Sequence, residues 1–77
     1  MNKAIILQAL RYQLHTEEDN LIYDKAEAAA LWDRCDKSRP VETYSYYEYY
    51  KMYKNRIRAT QSRLKRIRAT IRAVKCL

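Results

Sequence analysis

The chain has 77 residues, 16 Lys and Arg against 9 Asp and Glu, and a formal charge of +7, the profile of one small basic domain. It contains no glycine, which excludes Gly-rich phosphate loops, and Cys35, Cys76 and His15 form no metal-ligand spacing. A core of this size is marginal without disulfides, a metal or self-association, and with two cysteines in separate segments self-association is the expected supplement.

Met1 to Leu10 carry Lys3 and an apolar run too short to span a bilayer, with no Ala-x-Ala cleavage pattern. The expected setting is the cytoplasm, with free thiols. From there Leu7, Leu10, Leu14, Leu21, Ala28, Leu31 and Cys35 recur in steps of three and four, with Glu17 and Asp24 filling the gaps. The spacing predicts one helix over about 3–36. Thr16 followed by acids could instead cap a new helix, but the register runs on across that stretch, so the unbroken helix is the favoured reading. Asp36-Lys37-Ser38-Arg39-Pro40 is the one clear interruption, and the turn is expected at 37–40.

The second helix is expected over about 41–76, starting at Pro40 or at a capping box of Ser45 and Glu48. Its seam is Tyr46, Tyr50, Tyr53, Ile57, Thr60, Leu64, Ile67, Ile71 and Val74, a period that fits a helix and no strand. Two helices of nearly equal length about a short turn describe an all-α antiparallel helical hairpin. Antiparallel matching sets Leu31 near Tyr50, Asp24 near Ile57, Leu14 near Ile67 and Leu7 near Val74. Asp24 and Glu17 fall on the seam. They either lean to its edge and meet Tyr hydroxyls, Arg or water, or form a polar layer that fixes the register. Ile5, Ile6, Ile22, Ala26 and Ala29 give the first helix a second apolar surface that a lone hairpin leaves wet. A homodimer forming a four-helix bundle through them is expected.

Chemistry is sparse. No catalytic constellation surrounds His15, so no enzyme, cofactor or catalytic residue is expected. The functional signal is charge: Lys51, Lys54, Arg58, Gln61, Lys65, Arg68, Arg72 and Lys75 follow the seam one position over, a ridge roughly 36 Å long. No acid follows Glu48. The bland alternative is a solvated face balanced by the first helix, with Glu27 reaching Arg56 and Glu18 reaching Gln61. Lys25 toward Lys54 and Arg11 toward Arg68 argue against full self-neutralisation.

The tyrosines crowd one end. Tyr44, Tyr47 and Tyr49 cannot all enter the seam, and Trp32 is expected close to Tyr47. Tyr, Trp and Arg are the types that dominate protein–protein hot spots. Trp32, Tyr44, Tyr47, Tyr49 and the ridge cations Lys51, Lys54, Arg58, Lys65, Arg68 and Arg72 are therefore the expected partner-binding residues. The expected function is a non-enzymatic interaction protein that docks on an acidic surface of a partner protein of nucleic-acid-handling or host-defence machinery and blocks or modulates it. The format resembles that of compact phage accessory and anti-defence proteins. The second reading is direct, largely sequence-independent RNA or DNA binding by a dimer of hairpins similar in architecture to the Rop family of plasmid RNA-binding proteins. Basic-zipper proteins are a superficial likeness, since charge and heptads here share the same residues. Membrane-surface binding is disfavoured by the narrow, Tyr-rich stripe.

Overall fold

Asn2 starts the first helix by accepting a hydrogen bond from the Ala4 N–H at 2.8 Å, which satisfies one of the donors a helix start leaves open. The computed structural model describes residues 2–77. Helix α1 runs over Lys3–Arg34 and α2 over Tyr44–Lys75, each of 32 residues. The two lie antiparallel in a rod with Cα extents of 58 × 14 × 13 Å, a helical hairpin.

Helix α1 is unbroken. Thr16 does not cap a new segment; its hydroxyl donates to the Tyr12 carbonyl at 3.1 Å, one turn back along the same helix. The helix stops at Arg34 rather than near 36, because Cys35 takes extended angles (φ −72°, ψ 126°) while its N–H still reaches the Trp32 carbonyl at 3.1 Å.

The connection is 35–43, longer than the expected 37–40, and neither anticipated start of α2 is the observed one. Pro40 opens a single isolated turn closed by Thr43 N–H to Arg39 O at 3.2 Å. Thr43 then leaves helical geometry at φ −106°, ψ 9° and forms the N-cap. Its hydroxyl lies 3.0 Å from the Arg39 carbonyl and accepts from the Asp36 N–H at 3.2 Å, so it ties the loop rather than the helix. The Ser45–Glu48 capping box is absent because Ser45 already sits inside α2 and Glu48 is held by Lys51 at 3.0 Å. At the far end Lys3 donates to the Lys75 carbonyl at 2.9 Å, a cation on a helix C-terminus that also ties the two chain ends together.

Asp36 is the hub of the loop, accepting from the Ser38 N–H at 2.9 Å and the Ser38 hydroxyl at 2.6 Å. These bonds, the hydroxyl's first, hold its carboxyl below the usual Asp value. A group depressed in the folded state contributes its stabilisation above its unfolded pKa and loses it as pH falls through the folded one. The Ser38 amide resonance should therefore stay constant from neutrality down to the ordinary Asp range and move upfield only below it. A midpoint at or above the ordinary Asp value would contradict the bonding described.

The core is the expected seam. Ala28, Leu31, Ile57, Leu64, Ile67 and Ile71 are buried, with Leu7, Leu10, Leu14, Leu21 and Val74 half-buried around them. Two polar residues join it, Asp24 and Thr60, exposed by only 1 % and 2 %. Tyr46 is the seam position that stays partly open, because α1 has ended opposite it; the Arg34 guanidinium lies 5.8 Å from its ring centre.

Candidate interaction surface

An α-helix turns about 100° per residue, so positions just before and just after each seam residue fall on opposite flanks of the hairpin. The two flanks of α2 treat their charges differently. On the preceding flank, Arg56 reaches Asp24 at 3.2 Å and Arg63 reaches Glu17 at 3.2 Å, both across the helix pair. Arg63 also donates to the Thr60 hydroxyl at 2.9 Å, so one guanidinium links a seam residue of α2 to an acid of α1. Arg56 further lies 5.1 Å over the Tyr53 ring. Of the two readings of Asp24 and Glu17, the edge contact to arginine describes Glu17, whereas Asp24 meets its arginine from an enclosed place within the seam. The expected Glu27–Arg56 pair is replaced by Asp24–Arg56. Glu27 instead faces Tyr23, and together with Tyr53 it holds the Tyr23 phenol above its usual range.

On the following flank the ridge stands open. Lys51 is engaged by Glu48 within its own helix. Among the described residues, Lys54, Arg58, Lys65, Arg68, Arg72 and Lys75 form no ion pair. The chain's own acids thus reach Arg56 and Arg63 before the seam, though not Arg66, and beyond Lys51 they spare the cations after it. Exposed like charges so aligned repel by a few tenths of a kcal/mol per neighbouring pair, a cost that folding alone gives no reason to carry. His15 lies 3.8 Å from Glu18 on the open surface, with no further partner that suggests chemistry. Among the described residues no cluster of three or more His, Cys, Asp or Glu gathers.

The ridge leads at its α2 start into an aromatic end. Trp32 and Tyr50 rings lie 4.9 Å apart and tilted, and Tyr47 stacks on Tyr50 at 6.4 Å. Trp32 and Tyr47, expected to be close, border the same hollow of about 530 Å³, with Cys35, Pro40 and Tyr44 among its other walls. Their exposures of 47 % and 42 % make them half-open walls rather than core. Lys51 joins hollow to ridge, its ammonium 5.0 Å from the Tyr47 ring centre. Glu48 gathers Tyr44 and Lys51: hydrogen bonding to it raises both of their pKa values, and Lys51 first, then Tyr44, lowers its own. Tyr49 is exposed but does not line the hollow; its helical position puts it on the opposite flank from the ridge.

The set expected at the dimer contact lies along α1, with Ile5, Ile22, Ala26 and Ala29 exposed and Ile6 half-buried. The sequence offered arginine as a partner for the seam acids but did not single out Arg56 and Arg63. The available signal was that both arginines precede seam residues, Ile57 and Leu64, on the side where an acid on the facing seam is within reach. No helix among the described residues is long and apolar enough to cross a membrane. No family model matches the chain, and comparisons with curated proteins and with solved structures give no match.

Proposed function

We propose that this protein is a non-enzymatic interaction module that docks on an acidic surface of a partner protein, using the open cationic ridge and the aromatic end together. The observation that carries the reading is the division of charge: Arg56 and Arg63 are matched internally, while the ridge beyond Lys51 is not. Masking the partner's acidic surface is how so small a chain would block or modulate it. Ridge charges steer encounter and orientation, and the half-exposed rings supply the short-range part of the affinity.

Direct binding of RNA or DNA is the second reading, favoured by the length of the ridge. Salt separates the two. Neutralising six phosphates would give a log–log slope of binding against salt near −4 to −5, depending on strandedness, as a rough expectation. Protein docking centred on the rings should keep most of its affinity through moderate salt and lose about tenfold or more on Tyr47→Ala. A nuclease-treated pull-down that retains the partner, with binding lost on Tyr47→Ala, is the expected result. Loss of all binding on nuclease treatment would favour the nucleic-acid reading.

Self-association into a four-helix bundle belongs to the same proposal. The chain exposes 6124 Å², against about 5000 Å² for a compact monomer of its mass. Part of that excess is Ile5 and Ile22, exposed by 61 % and 67 %. Sedimentation should give twice the 9.3 kDa chain mass, and Ile22→Glu should return it to the single-chain value. A wild-type chain that sediments as a monomer at high micromolar concentration would remove the dimer from the account.

A further inference from the structure

The hollow at the turn end is more specific than a sticky aromatic patch. One side of it is braced: Trp32 and Tyr47 both lean on Tyr50, Tyr47 carries the Lys51 ammonium over its ring, and Glu48 lies 3.0 Å from Lys51. Ring faces already engaged by neighbours offer poor platforms for stacking a nucleobase. The hollow of about 530 Å³ is lined by Trp32, Tyr44, Tyr47, Cys35 and Pro40 together with the polar loop residues Asp36, Lys37 and Thr43, a largely apolar concavity open to an inserted side chain.

Charge identifies what would bring such a side chain. Tyr47 is itself the position that precedes Lys51 in the ridge series, so whatever fills the hollow continues directly onto the cations. From Lys54 to Lys75 those cations rise about 31 Å along the helix axis without an acid among them. We infer that the hollow is an anchor pocket for one bulky apolar side chain of an acidic peptide segment, whose carboxylates then run along the ridge toward Lys75. This inference rests on the acidic-partner reading above and adds the partner's pattern: an aliphatic or aromatic anchor at one end and carboxylates beyond it. Anchors seated in a preformed pocket carry most of an interface's energy, while solvated charges set register and rate.

Trp32, the only tryptophan of the chain, reports on the hollow directly. The probe is a short glutamate-rich peptide lacking Trp and Tyr, with one leucine near its end, measured beside a twin with alanine in that place. The leucine peptide should bind about tenfold tighter and shift Trp32 emission to the blue, and the alanine twin should leave the emission unmoved. Tyr47→Ala and, separately, the more exposed Tyr44→Ala should erase the difference while keeping the twin's affinity, with circular dichroism confirming the fold of each. Lys65→Glu with Arg68→Glu should weaken both peptides alike. Equal binding of the two peptides with unmoved emission would overturn the anchor pocket and leave the acidic-partner reading standing. If neither peptide bound, both would fall. If a thymine oligonucleotide perturbed Trp32 more than the leucine peptide did, the hollow would be a base-binding site and the inference would be overturned.

Discussion

Leu64→Ala is expected to bring the chain to the edge of unfolding at room temperature. Leu64 is 2 % exposed at the middle of the α2 seam, and truncating a buried leucine removes about 2–5 kcal/mol through lost transfer energy and the cavity left behind. A chain of 77 residues holds a total of about 4–12 kcal/mol at the usual ~0.05–0.15 kcal/mol per residue. The low end applies here, because the rod is one side chain deep across its seam and buries few residues completely. Two helices that owe their stability to packing on each other lose helicity together when the packing goes. Far-UV circular dichroism in a urea titration should show the midpoint falling toward zero denaturant. A midpoint close to wild type would mean that the seam does not hold the molecule together.

Arg56→Ala and Asp24→Leu should differ in sign although they break the same contact. Removing Arg56 leaves the Asp24 carboxylate enclosed at 1 % exposure with no opposite charge in reach. Breaking enclosed pairs this way costs about 3–5 kcal/mol, and since the Arg56 side chain is itself half in water a value near ~2–3 kcal/mol is expected. Asp24→Leu removes the enclosed charge instead and frees an arginine that water can solvate. The pair is not a well-aligned one: Asp24 Oδ1 sits 3.2 Å from Arg56 yet has no hydrogen-bond partner of good geometry. A leucine against Ile57 should therefore match or exceed wild-type stability, by up to ~1–2 kcal/mol. What it should lose is uniqueness of register, because an unbroken apolar seam tolerates sliding. Paired urea titrations settle the signs, and heteronuclear spectra settle the register. If both substitutions destabilised equally, the charge itself would be contributing net stability.

The seam was fully legible because its period is written in residues that have no other reason to recur in threes and fours. Leu14, Leu21, Ile57, Leu64 and Ile71 announce both helices and their buried faces, and the antiparallel match follows from a single short break. The break itself was harder to read. Ser45 and Glu48 have the right spacing for a cap, but Thr43 competes for that place by bonding back to Asp36 and Arg39, a contact that exists only once the loop has closed. Asp24 was readable as a seam residue but not as an enclosed one. Its depth depends on which neighbour supplies the guanidinium, and Arg56 pairs with Asp24 rather than with Glu27. The ridge was visible as a pattern, while its freedom from internal partners required knowing which side of α2 the acids of α1 reach. Trp32 and Tyr47 border one hollow, but the ring contact of Trp32 is with Tyr50 and comes from the inclination of the rings, which spacing does not carry.

Side-chain spectra of the arginines during titration with poly-L-glutamate test this division of charge most directly. The Nε–H signals of Arg58, Arg68 and Arg72 should move with added polyanion and return with salt. Those of Arg56 and Arg63, already bound to Asp24 and Glu17, should stay in place throughout. Movement of Arg56 and Arg63 ahead of the ridge, or a ridge that does not respond at all, would show that the open cationic flank is not where an acidic partner meets this protein.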